Sequence, residues 1–136
     1  MPRIFGHNLL FFVLAGLAFY IFGFLMYGVI FGEYWMRISN VPADFSPPAW
    51  KMVLGLIIPF IPVAGIAMLA NKLGKSDLMG YVKLGALLAI AFAVAAMAYG
   101  YAYGPAYNVR MFVMDGLHMV IGFAIAGAVL SFGRAK

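Results

Sequence analysis

The chain has no cysteine and few charges: four acids and nine bases among 136 residues, with two histidines. Without thiols there are no disulfides and no thiolate metal sites. So few charges on a chain that is 66% hydrophobic, with mean hydropathy +1.02, leave no way to cover a soluble fold of this size. The net charge of +5 does not point to nucleic acid, because the basic residues stand singly in loops and tails and not together on one face. A nucleophilic enzyme is equally unsupported. Ser39, Ser46, Ser76 and Ser131 all lie away from His118 in depth, and neither an HExxH motif nor a phosphate loop is present.

What remains is apolar sequence, which divides into four runs at residues 9–30, 52–70, 81–103 and 109–132. Each is long enough to cross a hydrocarbon layer about 30 Å thick. The expected fold is an all-α integral membrane protein, one domain over residues 1–136. Its four transmembrane helices form an antiparallel up-down bundle with short loops and one longer first loop. The first run is too long for a secretory h-region and lacks a clear cleavage site, so it reads as a retained helix. Ala15, Gly16 and Gly23 suit a close neighbour, Gly28 and Gly32 make a GxxxG spacing, and Tyr34 and Trp35 read as interface anchors. Ser46-Pro47-Pro48 reads as a helix start. Pro59 and Pro62 predict a kink in the second run, freeing the carbonyls of Gly55 and Ile58. The third run is alanine-rich and ends in Tyr99, Tyr101 and Tyr103; the fourth carries Gly116, Gly122, Ala126 and Gly127 for close contacts.

Counting Arg3, Lys72, Lys75, Lys83, Arg134 and Lys136 on the face of both termini, against Arg37, Lys51 and Arg110 opposite, the positive-inside rule predicts cytoplasmic termini in a cell inner membrane.

The fourth run is the only one with an acid or a histidine inside it. Asp115 and His118 are spaced i to i+3 on one helical face. From an entry at Val109 they lie roughly 9 and 13 Å deep at about 1.5 Å per residue. An aspartate there costs about 2.5–3.5 kcal/mol at mid-bilayer, so it should face protein or a wet cavity and have a partner. Ile58 lies at roughly the same depth from the same side. That match places Asp115 against the kink of the second run, with Tyr27 or Tyr99 completing a polar pocket; Tyr103 and Glu33 belong to the same outer half. Arg110 is five residues from Asp115, about 140° away around the helix, and does not share its face. Haem fails on depth, since His7 and His118 lie at different levels, and a metal site lacks ligands. No cofactor and no metal are expected.

The Tyr27-Gly28 to Trp35 run, with Asp115-Gly116-x-His118 and the later glycines, resembles the bacterial membrane-protein family known as domain of unknown function 1761. The matching residues are Tyr27, Phe31, Gly32, Trp35, Asp115 and Gly116. Met26 stands where the family motif has tryptophan, and Val29 stands near its proline. The resemblance implies a four-helix membrane fold and supplies no activity.

Two functional readings follow. The first is a non-enzymatic structural or accessory protein acting through helix contacts in a homo-oligomer or larger membrane complex, surrounded by membrane lipid. The alternative is a small transporter or ligand- or lipid-binding protein with Asp115 and His118 in a membrane-embedded polar pocket.

Overall fold

The computed structural model describes residues 2–134, so Lys136 of the charge count lies outside the described residues. Four helical runs are long and apolar enough to cross a membrane: Leu9–Ile30, Ala49–Lys72, Leu78–Tyr103 and Val109–Ser131. The second begins three residues before the expected start at Met52, and the third three before Tyr81. Hydropathy alone stops at Trp50-Lys51 and at the polar turn, whereas the backbone keeps turning until Pro48 and Asp77 end it.

A two-residue hairpin, β1 (Arg3–Ile4) paired with β2 (His7–Asn8), precedes the first span. Its turn uses Phe5 and Gly6, both at positive φ. The first span is α1 (Leu9–Phe24), capped by the Asn8 side chain, continued by a π-helical turn over Leu25–Ile30. A short helix α2 (Gly32–Ser39) follows and ends at Asn40 in the left-handed conformation that asparagine tolerates.

The second span is broken where proline demanded it. α3 (Ala49–Ile57) ends and α4 (Phe60–Lys72) begins across Ile58 and Pro59. The Ile58 carbonyl is satisfied locally by the Ile61 amide at 3.0 Å. Pro62 lies in the first turn of α4, where no intrahelical N–H is required, and adds no second break. Ser46 does not cap α3, whose flanking position is Pro48 with no side-chain bond.

The third span is α5 (Leu78–Leu88), a π-helical stretch over Ala89–Val94, and α6 (Ala95–Tyr103); the fourth is the single helix α7 (Val109–Ser131). α7 packs most extensively against α1 and α5, and α4 fits against all three. The resulting core holds Phe12, Phe19, Ile66, Tyr81, Leu84 and Leu130. A smaller cluster of Met26, Ile38 and Met114, with Trp35 beside it, joins α2 to α7. Gly28 and Gly32 admit no helix within this chain: a Cβ on either would meet only Phe24 or the Tyr27 carbonyl, at 3.5 Å or more.

Candidate functional site

The π-helical turn closes its hydrogen bonds over i→i+5 where an α-helix uses i→i+4, and so changes which side chains face the bundle. Tyr27 lies inside that turn, half-buried, and donates its hydroxyl to one oxygen of Asp115. The other oxygen accepts from Tyr107, two residues before α7 begins. Burial, then the hydrogen bond and negative charge of Asp115, push the Tyr107 phenol above its ordinary range, so its proton stays in place as a donor. One carboxyl thus joins the end of the first span, the turn between the third and fourth, and α7 itself. Asn108 strengthens the same corner. Its carbonyl caps the Met111 amide and its NH2 donates to the Ile38 carbonyl at 2.8 Å.

Tyr27 also organises aromatic neighbours. Its ring stands edge-on to Trp35 at 4.8 Å and to His118 at 5.0 Å between centroids. His118 stacks on Phe22 at 5.7 Å and meets the edge of Phe19 at 5.4 Å. Its Nε2 is buried without a hydrogen-bond partner and lies against Gly23.

The expected pocket is therefore redistributed. It is His118, and not Asp115, that faces the break of the second span, sharing a hollow with Gly55 and Pro59. Asp115 sits one turn nearer the Val109 end, where Tyr27 and Tyr107 take both its oxygens, and the Ile58 carbonyl already has its own donor. Tyr99 and Tyr103 do not reach Asp115: they are 72% and 82% exposed. Tyr101, between them, stacks on Phe112 at 5.3 Å. Glu33 is exposed on the first turn of α2. Arg110 lines a separate apolar hollow with Met26, Val113 and Leu117. Among the described residues, no group of three or more His, Asp and Glu side chains gathers as a metal set.

Two contacts go beyond the sequence reading. Tyr107 has no role there, although a tyrosine just ahead of the helix carrying the one intramembrane acid is a usable signal. Trp35, expected as an interface anchor, also packs on Tyr27.

A family model described as a protein of unknown function, DUF1761, matches residues 10–131. This chain belongs to the DUF1761 family. The match takes in all four spans from Leu10 to Ser131, including Tyr27, Trp35, Tyr107, Asp115 and His118, so the whole Asp115 corner of this DUF1761 chain lies inside the family segment. No curated protein and no solved structure matches the chain.

Proposed function

We propose that this chain is a structural or accessory membrane protein that works through helix contacts with copies of itself or with a larger complex. In this reading it forms one antiparallel up-down domain of four spans with short loops and one longer first loop. It sits in an inner membrane with both termini cytoplasmic, and has no catalytic role. The observation that carries the reading is the half-span α3. It has no buried residue, and with the break behind it leaves an apolar groove of about 630 Å³ walled by Gly55, Ile58, Pro62, Phe92, His118 and Phe123. In lipid, exposed apolar side chains need no cover, but a concave groove forfeits packing that a second helix restores. The Asp115 corner supports the same reading, since its carboxyl is spent on two internal hydrogen bonds and holds elements together.

A second reading has its own observation, an apolar groove of this size with His118 in its wall. It favours an apolar ligand or lipid.

One experiment separates them. A Cβ on Gly55 or Gly65 would meet nothing within 4 Å, so a side chain can leave the backbone at either position without a clash, and only Gly55 lines the groove. Native mass in phosphatidylcholine nanodiscs should show an assembly larger than one chain, broken by Gly55→Leu and kept by Gly65→Leu. A monomer carrying one co-purifying molecule that both Gly55→Leu and His118→Phe release would establish the second reading instead. A bare monomer indifferent to Gly55→Leu would sink both.

A further inference from the structure

At the opposite end of the bundle, three distant parts of the chain meet around a polar pocket of about 200 Å³, with Gly6, His7, Asn71, Lys75, Tyr81 and Arg134 in its lining. At about 30 Å³ per water, this is room for roughly six waters, enough for a tetrahedral oxyanion together with part of its hydration. Its floor is fixed. His7 and Tyr81 are each 1% exposed, and they are joined Nε2 to hydroxyl at 2.6 Å. The Nδ1 of His7 faces the Phe5 carbonyl at 2.8 Å, which can only accept, so Nδ1 carries the proton and Nε2 takes the Tyr81 hydroxyl hydrogen.

The fold accepts backbone strain to build this corner. Phe5 stands at φ 49, a conformation bulky side chains avoid, and Gly6 at φ 80 comes so near Asn71 that a Cβ there would lie 2.5–2.8 Å from the carboxamide. The Asn8 amide donates to the Gly133 carbonyl at 2.7 Å, and His7 bridges to Arg134, drawing the end of α7 onto the hairpin.

The lining contains Lys75, Arg134, the Ser76 hydroxyl and the Asn71 carboxamide, and no carboxylate. Asp77, the nearest acid in sequence, is outside the lining and lies over Gly80, where the Lys75 Cδ also approaches. Two cations, a hydroxyl and a carboxamide around one pocket suit a group with three or more acceptor oxygens better than a planar carboxylate. Gly6, His7, Lys75, Ser76 and Arg134 stand just beyond the span ends Leu9, Lys72, Leu78 and Ser131, and Asn71 and Tyr81 lie within a turn of those ends, at the level of lipid headgroups. We propose that this pocket binds a phosphate group, presented by an anionic phospholipid headgroup or as free phosphate.

The full chain in phosphatidylcholine nanodiscs is titrated with phosphatidylglycerol and, separately at constant ionic strength, with inorganic phosphate, reading occupancy by native mass spectrometry. The expected result is one saturable site per chain that Lys75→Gln and Arg134→Gln each weaken about tenfold, as loss of one charge-assisted bond should. Lys83→Gln, an exposed cation near the same end and outside the lining, leaves it unchanged. Lys75 is exposed, so its variant keeps the fold even if Arg134→Gln, which also loses a bond to the Ser131 carbonyl, does not. Saturation by phosphatidylglycerol alone identifies the lipid headgroup; saturation by inorganic phosphate with the same variant pattern identifies the free ion. The proposal is overturned if neither probe saturates at one per chain, or if Lys83→Gln weakens binding as much as Lys75→Gln does.

Discussion

A Cβ placed on Gly23 would stand 2.8 Å from the Nε2 of His118, so the imidazole lies flush against the backbone of the first span. The neighbour that must yield is a ring already held between Phe19, Phe22 and Tyr27. Gly23→Ala is therefore an overpacking change, expected to cost about 1–3 kcal/mol. Reversible unfolding in mixed micelles reads the cost. Gly23→Ala combined with His118→Ala should lose less than the sum of the single variants, because the added methyl then enters the space the ring leaves. Strict additivity would show that the two groups do not meet.

The Asp115 corner gives a graded set of losses. Tyr27→Phe and Tyr107→Phe each remove one donor and leave the other, and interhelical bonds of this kind in membranes are worth about 0.6–1.7 kcal/mol. Asp115→Ala removes the acceptor for both, leaving two part-buried hydroxyls without that partner, and should cost more than either tyrosine variant. Asp115→Asn should fall between, since an amide still offers one oxygen and a hydroxyl can turn to accept from its NH2. The ranking is checked by the same unfolding titration; an Asp115→Ala no worse than Tyr107→Phe would mean the carboxyl holds nothing together.

His7 ties stability to pH. Burial holds its imidazole below the ordinary value of 6.5, with Arg3 adding to the effect and the Phe5 carbonyl opposing it. Between the folded value and 6.5 the unfolded chain binds a proton that the folded chain does not, so stability falls as pH drops through that window and is full above it. Melting temperature should decline as the pH is lowered below about 6.5. His7→Gln should flatten that part of the curve while lowering stability at neutral pH, because the bond to Tyr81 is lost. A slope unchanged in His7→Gln would assign the pH dependence to another group.

The spans were legible because lipid imposes a simple requirement: a run of apolar residues long enough to cross, interrupted only by polar turns. The break at Ile58–Pro59 was legible for an equally local reason, a missing amide. Partners across the bundle were not. Depth arithmetic put Asp115 and Ile58 at one level, but level says nothing about azimuth, and it is His118, three residues further along α7, that looks toward the break. Tyr99 and Tyr103 attracted attention as part of a series, yet alternate residues on a helix point about 200° apart, and these two look outward. The His7–Tyr81 bond joins residues 74 apart in sequence, through a hairpin of two-residue strands that no period-2 pattern announces.

The glycines of the fourth span look alike in sequence and differ in consequence. A Cβ on Gly127 would stand 2.5 Å from the Tyr81 carbonyl oxygen, and one on Gly85 would collide with the Phe123 carbonyl, so α5 and α7 touch backbone to backbone through a reciprocal pair of missing side chains. A carbonyl in a helix cannot swing aside as a ring can, so Gly127→Ala must push the helices apart along the most extensive contact in the bundle. The expected cost is about 3 kcal/mol or more, at the upper end of overpacking effects. Gly116, one residue past Asp115, is the internal control: its nearest neighbour would be Val94 Cγ2 at 4.0 Å, an ordinary contact. Gly116→Ala should leave stability within about 1 kcal/mol of the parent, with helix propensity favouring the alanine. Measured side by side, equal losses at the two positions would remove the case for a backbone-to-backbone seam. A large loss confined to Gly127→Ala would show that α5 and α7 are held at a separation only glycine permits, with Tyr81 carried on that seam to the position from which it meets His7.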